Sequence, residues 1–476
     1  MKQIIFNPVI LSLILLSGLV YLAIGFHLLN RSQRWAINFE KLYVFLFILT
    51  IGGVDIELFS RLNPTALYTI GKTLPSAALQ LGIYFGCLLL VYSRWQAHFQ
   101  KSLNFFANLI INSPFFCLHL FWIFLCSLLS ETPGQSLKAT LVCLSVTIFF
   151  IYIGKDYSWQ ELFDLLLWSQ VAIILLSLYY CLLVPSVGAP PGRSWVGVLS
   201  HKNALGSQMA ISVMFLYLQS LRVPKYKGLC FLLIGLALFM LQQANSGMSK
   251  VLLVILISLL GVIRSIRRLP PRIALSLMGF FLAIGVGTII LLIENAEYII
   301  VEQLGKDLTL TGRTLFWPLI INAINSHPLF GYGYQGFWQP WRGIDNPALP
   351  IRSPKLGNFI PTHSHNGFLD IGLDLGWLGL AFFIISLLTT IYYGVLHVIR
   401  NPDPESAFPL VILTSLAIVN ITETGIATVT PFWIFYVMIT ARFTMDNISD
   451  KFRKNREVRP PLALESPSQF NRSDFW

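Results

Sequence analysis

Pro361-Thr-His-Ser-His-Asn-Gly-Phe-Leu-Asp-Ile-Gly-Leu-Asp-Leu-Gly-Trp-Leu-Gly-Leu380 passes in a few residues from a polar loop to an apolar run that continues to about residue 397. A helix needs about 20 apolar residues to cross a bilayer, so this run reads as a transmembrane helix that starts at once after two histidines and an asparagine. Counted from His365, the residues Leu369, Gly372, Gly376 and Gly379 recur at helical spacing. The spacing predicts one stripe, mostly glycine, against which a neighbouring helix can pack closely. It places the His365 imidazole at the membrane–water boundary.

The same polar-to-apolar switch repeats along the chain. Apolar runs fall at about 8–29, 42–59, 77–93, 106–129, 137–154, 162–184, 203–220, 228–243, 251–263, 273–293, 367–397, 408–422 and 427–441. The composition agrees: 476 residues, 55% hydrophobic and only 12% charged, against roughly 25% charged in soluble domains. The expected fold is all-α, a polytopic integral membrane protein with about 12–13 transmembrane helices. The run at 251–263 is short for a full span, and the N-terminal run reads as a first span rather than a cleaved signal.

The formal net charge of +11 follows mainly from loops rich in Lys and Arg that alternate onto one side, which the positive-inside rule assigns to the cytoplasm. Scattered basic residues in short loops argue against a nucleic-acid partner. The six cysteines lie in or beside apolar runs without metal or redox spacing, so they read as packing residues. Three regions are expected: N-terminal helices over 1–184, a functional membrane region over 185–441 with one long external loop at 294–366, and a polar, disordered cytoplasmic tail over 442–476.

The external loops carry cations that the positive-inside rule does not explain: Arg193, Lys202, Lys250, Arg313, Arg342, Arg352 and Lys355. Together they point to an anionic ligand at the outer face, and arginine forks suit phosphate oxygens. Arg193 lies in a Pro/Gly-rich loop ahead of a span that Asn203 is placed to cap, with His201 and Lys202 beside it. Within the long loop, 311–324 reads as a helix with Thr311 as cap candidate and an apolar stripe of Leu315, Leu319, Ile320, Ala323 and Ile324. Arg313 stands in its first turn, where a cation opposes the helix dipole unless an anion joins it.

Gly331-Tyr-Gly-Tyr-Gln-Gly336 matches G-x-G-x-x-G but follows no strand, so a dinucleotide site is excluded. It reads as an aromatic turn, with Tyr332 and Trp338 available to stack on sugar rings. His363 and His365 lack a third ligand and an H-E-x-x-H helix, so no metal is expected. His365 suits general-base work, because imidazole exchanges protons near neutral pH. Asp370 and Asp374 read as helix-packing residues. Glu423, in the apolar hairpin Asn420-Ile-Thr-Glu-Thr-Gly425, is an ionisable group near a membrane segment and hence a site candidate.

Gly312-Arg313 with Trp317, then His327-Pro-Leu-Phe-Gly-Tyr-Gly-Tyr334, then His363-Ser-His-Asn366 resemble the bacterial O-antigen ligase and polymerase superfamily. The superfamily pattern is histidine–asparagine, nine residues, then glycine-x-x-glycine; His365-Asn366 and Gly376-Trp-Leu-Gly379 match it. The resemblance is strongest over about 195–440, and some of its wording is similar to exopolysaccharide polymerases. It implies an inner-membrane glycosyltransferase of C-type, metal- and cofactor-independent architecture. Such an enzyme moves a glycan from undecaprenyl diphosphate to an acceptor, another glycan or a lipid A core, on the periplasmic face. By position it implies Arg193, Arg313 and His365 as catalytic residues. Asn366, Lys202, Asn203, Lys250, Tyr332 and Trp338 are the candidate substrate-binding residues, Lys250 standing where the superfamily often has an arginine. The expectation is inverting displacement, with the arginines on the diphosphate and His365 taking the hydroxyl proton. The competing reading is a transporter or flippase of lipid-linked glycans, for which Asp55, Glu57 and Glu423 would be the intramembrane ionisable groups.

Overall fold

The computed structural model describes residues 33–51, 86–87, 91–92, 99–199, 201–267, 269–270, 273, 276, 313–351 and 360–458. The expected run at 8–29 lies outside these residues, as do nearly all of 77–93 and 273–293, the second half of 42–59, and Thr311, Arg352, Lys355, Asp55 and Glu57. The side chain of Arg313 also lies outside what is described.

The longer described helices are α1 (Gln33–Ile51), α2 (Phe99–Asn112), α3 (Pro114–Leu128), α4 (Pro133–Asp156), α5 (Trp159–Leu183) and α6 (Lys202–Arg222). They continue as α7 (Lys227–Ala244), α8 (Gly247–Ile266), α9 (Arg313–Ser326), α10 (Gly367–Arg400), α11 (Phe408–Val419) and α12 (Pro431–Val458). Six helical segments among the described residues are long and apolar enough to cross a membrane: α4, α5, α6, α7 with the short turn before it, α8 and α10. The protein is an all-α, multi-pass membrane protein.

Four expected elements differ. The run at 106–129 is not one helix; α2 and α3 meet at a 97° bend. Pro114 opens α3, lacks an N–H and disfavours helical geometry at Ser113 before it. The short run at 251–263 belongs to a 20-residue helix, α8, because Ser249 and Lys250 extend it at one end and Arg264 at the other. The last run extends as a helix through polar residues to Val458, so 442–458 is helical where a disordered tail is expected. The stripe of α9 is rotated: Phe316, Ile320 and Ile324 face its core, while Leu319 is exposed.

Between membrane helices apolar burial alone gives little drive, so polar pairs and close backbone approach matter. Trp433 on α12 donates to Thr147 on α4 at 2.9 Å, and Ser386 on α10 meets Tyr436 on α12 at 2.5 Å. Gln170 on α5 accepts from Gln208 (2.6 Å) and Ser212 (2.8 Å) on α6. At the N-terminal ends of α6 and α8, Gly206 leaves no room for a Cβ against Ser249, which brings these two parallel helix starts side by side.

At the basic end of the bundle several cations meet protein groups. Arg222 pairs with Asp164, and with Glu405 at 3.4 Å. Arg267 donates to Pro402 O (3.0 Å), Asp403 O (3.1 Å) and Ser406 Oγ (2.7 Å). Burial lowers the pKa of Arg267, and the nearby Asp403 opposes that shift.

The long loop has a second, small core. Phe316, Ile320 and Ile324 of α9 bury with Phe337, Ala348, Ile351 and Leu373, the last from α10. Each large side chain buried in this way contributes about 1.5–3 kcal/mol. The described part of the loop, 313–351, is therefore a folded cap seated on the first turns of α10.

Candidate functional site

The cap is fixed to α10 where that helix breaks. Gly376 has φ 70° and ψ 179°, a backbone only glycine adopts readily, so α10 is two helical pieces. The freed backbone groups are taken by the aromatic turn: Tyr332 N donates to Leu373 O (2.8 Å), Gly333 N to Asp374 O (2.9 Å), and Trp377 N to Pro328 O (2.8 Å). The expected continuous stripe from His365 does not exist. Gly372 faces Ile324 of α9, Gly376 faces the backbone at Pro328 and Leu329, and Gly379 faces Trp122 of α3. The glycines receive the cap and α3 rather than one neighbouring helix.

His365 is not helical either. It precedes the cap residue of α10 in a left-handed backbone, φ 54°. This conformation is uncommon for a residue with a side chain, though histidine tolerates it better than most. Its N–H donates to His363 Nδ1 at 3.2 Å, and the two rings meet with centroids 4.1 Å apart. Asn366 is the N-cap: its Oδ1 accepts from Phe368 N (3.0 Å) and Leu369 N (3.1 Å). Gly367 N donates to Asn420 O (2.9 Å) and Glu423 O (3.1 Å), which ties the start of α10 to the hairpin between α11 and α12.

That hairpin carries Glu423. Its Oε2 lies 3.6 Å from His365 Nδ1, and its Oε1 accepts from Asn203 Nδ2 at 2.7 Å. Asn203 is thus not the cap of α6. His201 is, its Nδ1 accepting from Asn203 N at 3.2 Å, which leaves the Asn203 side chain to reach across to Glu423. Ser249, in the first turn of α8, donates to Asn203 O at 3.4 Å. The starts of α6, α8 and α10 and one hairpin therefore meet at His365, Glu423 and Asn203.

Asp370 organises the surroundings. Only 3% of it is exposed. Its Oδ1 accepts from Trp338 Nε1 (2.9 Å) and Ser364 N (3.0 Å), and its Oδ2 from Thr424 Oγ1. One carboxylate joins the cap, the histidine loop and the hairpin. Sequence reasoning treated it as a helix-packing residue, because its partners stand 32, 6 and 54 positions away. Trp317, one turn after Arg313 on α9, donates to Ser364 O at 3.1 Å, so the start of α9 also lies beside the histidine loop.

The cations sort into two groups. Arg342 pairs with Glu131 at 3.1 Å and needs no ligand to account for it. Lys202 and Lys250 stand in the first turns of α6 and α8, and no acidic partner lies within 4 Å of either among the described residues. The cap residue of α8, Ser246, makes no side-chain bond to the backbone N–H groups of the first turn; its Oγ accepts from Ser249 Oγ at 2.8 Å. Two helix starts, each with a lysine and aligned amide dipoles, favour an anion in front of them. Arg193 is exposed in the loop between α5 and α6, and no hydrogen bond or ion pair joins its side chain to His365, Glu423 or Asn203 among the described residues. Tyr332 and Trp338 are built into the cap rather than standing free: Tyr332 packs on Phe337 and His327, and Trp338 is held by Asp370.

Residues 229–384 match the family model described as O-antigen ligase. The matched region runs from α7 to the middle of α10 and contains Lys250, Arg313, His365 and Asn366. Asn203 and Glu423 fall on either side of it. The chain is 27% identical over 340 residues to "Exopolysaccharide production protein ExoQ" of Rhizobium meliloti (strain 1021), covering 68% of this chain and 73% of that relative. It is 39% identical over 72 residues to "Putative polysaccharide ligase RP358" of Rickettsia prowazekii, 15% of this chain and 17% of that protein. A Rickettsia typhi protein with a corresponding name is 38% identical over 72 residues, with the same coverage.

Proposed function

We propose that this membrane protein, of the O-antigen ligase and polymerase-like superfamily, transfers a glycan from undecaprenyl diphosphate to a sugar hydroxyl on the periplasmic face of the inner membrane. The observation that carries the reading is the placement of His365 beside the starts of α6 and α8, whose lysines have no acidic partner among the described residues. Glycan transfer of this general type also agrees with the family match and with the names of the relatives.

In the proposed step the acceptor O–H attacks the anomeric carbon from the face opposite the diphosphate. The new C–O bond forms as the bond from carbon to the phosphate oxygen breaks, and that electron pair leaves with undecaprenyl diphosphate. His365 takes the hydroxyl proton. Lys202, Lys250, Arg193 and Arg313 supply the positive charge that the leaving diphosphate needs.

The transporter reading expects broken helices around a substrate cavity. α10 is broken, but the aromatic turn of the cap takes up the freed backbone groups at Gly376, as described above. The break serves to seat the cap.

The test is transfer in vesicles containing the full chain and undecaprenyl-diphosphate-linked glycans extracted from the native envelope. Offered a second lipid-linked glycan or a lipid A core, a polymerase yields a ladder and a ligase a single shift. His365→Ala and Lys250→Ala are expected to reduce transfer strongly. Turnover near wild type in both would overturn the assignment.

A further inference from the structure

We infer that Glu423 is a positioning residue for His365, holding its Nδ1–H so that Nε2 is the nitrogen presented to the acceptor hydroxyl. This rests on the reading of His365 as the proton acceptor.

The observations converge on one ring nitrogen. The His365 side chain is 35% exposed, yet its Nδ1 is buried and makes no hydrogen bond. Exposure therefore belongs to the remainder of the ring, and the group Nδ1 faces is the Glu423 carboxylate, 3.6 Å away. A hydrogen bond needs closure by about 0.6 Å, and such contacts tighten when substrate orders a site.

Glu423 is held in place for this. Asn203 occupies Oε1 at 2.7 Å, which leaves Oε2 toward the imidazole. Its backbone is fixed at both polar atoms, Glu423 N donating to Val419 O (2.9 Å) and Glu423 O accepting from Gly367 N (3.1 Å). A carboxylate engaged in this way is poorly suited to be the base itself, and well suited to orient one.

The chemistry balances. As the acceptor oxygen bonds to the anomeric carbon, its proton passes to Nε2 and the ring becomes imidazolium. Nδ1–H then faces a carboxylate, which stabilises the positive ring and fixes the neutral tautomer beforehand. A glutamine at 423 keeps the bond to Asn203, but the end that faces His365 becomes an NH2 group that cannot accept from Nδ1–H.

The experiment uses the full chain in vesicles with undecaprenyl-diphosphate-linked glycans from the native envelope. Glu423→Gln is expected to lower kcat about 100-fold with donor KM changed less than about threefold. Glu423→Asp should recover part of the loss. In a His365→Ala background Glu423→Gln should cause no further loss. An equal fractional loss in both backgrounds, accompanied by lower thermal stability, overturns the inference. Independently of any variant, nitrogen-15 spectra of histidine-labelled wild type should show His365 as the Nδ1–H tautomer, and the Nε2–H tautomer overturns it. His365→Ala inactive with Glu423→Gln near wild type removes this inference alone. His365→Ala near wild type removes the proposed transfer chemistry as well.

Discussion

Trp338 donates its indole N–H to Asp370 Oδ1 at 2.9 Å, which fastens the cap to the first turn of α10 through a buried carboxylate. Asp370→Ala would leave the Trp338 N–H, the Ser364 N–H and the Thr424 hydroxyl without that acceptor. Each unsatisfied buried group costs about 1–3 kcal/mol. Asp370→Ala should therefore lower the unfolding temperature markedly and expose the 339–351 segment to protease. Asp370→Asn keeps one acceptor oxygen and should fall between the two.

Gly376 and Gly343 both have positive φ, 70° and 59°, but different surroundings. A Cβ at Gly376 would strike the carbonyls of Pro328 and Leu329, whereas nothing lies within 4 Å of one at Gly343. Gly343→Ala should show backbone strain only, about 1–2 kcal/mol. Gly376→Ala should lose more, because the cap must also move off the helix break. Thermal unfolding of the two variants in one detergent checks the order.

Lys202 and Lys250 should matter to the donor, and Arg342 should not. Lys202→Ala and Lys250→Ala are each expected to raise donor KM about tenfold, the equivalent of about 1.4 kcal/mol. Arg342→Ala breaks a partly exposed ion pair worth at most about 1 kcal/mol and should leave KM within twofold. Steady-state kinetics with varied donor decides between them.

His363 Nδ1 accepts from the backbone N–H of His365 at 3.2 Å. His363→Ala removes the acceptor for His365 N–H and should lower kcat about tenfold, roughly the value of one hydrogen bond. His363→Asn, which offers an oxygen near the former Nδ1 position, should restore most of it. His365→Asn should not be restored in this way.

The membrane spans were legible because a bilayer imposes length and apolarity on every crossing segment. Lys202–Arg222 and Trp159–Leu183 lie within two or three residues of their predicted runs. The break at Gly376 was not legible, because a glycine that packs closely and a glycine that reverses the backbone look alike in a sequence. His365 was placed correctly before the apolar run but wrongly on its helical face, for the same reason. Asn203 showed a capping pattern, yet its partner stands 220 positions away and leaves no periodicity. Glu423 stood out as a carboxylate in an apolar hairpin. The ring it faces emerged only when α10 and the hairpin were brought together. Arg342 sits in an external loop like the other cations, but its partner Glu131 stands 211 positions away and leaves no local signal.

The meeting of Asn203, His365 and Glu423 also bears on when the protein becomes competent during its synthesis. These residues belong to three membrane insertions separated by long stretches of chain. A ribosome-bound intermediate that has inserted α10 already displays both histidines, but Asn203 still lacks its partner. Only after the α11–α12 hairpin enters does the centre exist. A chain truncated before residue 423 lacks the carboxylate that Asn203 and His365 meet, so under the proposed function it is expected to show no transfer.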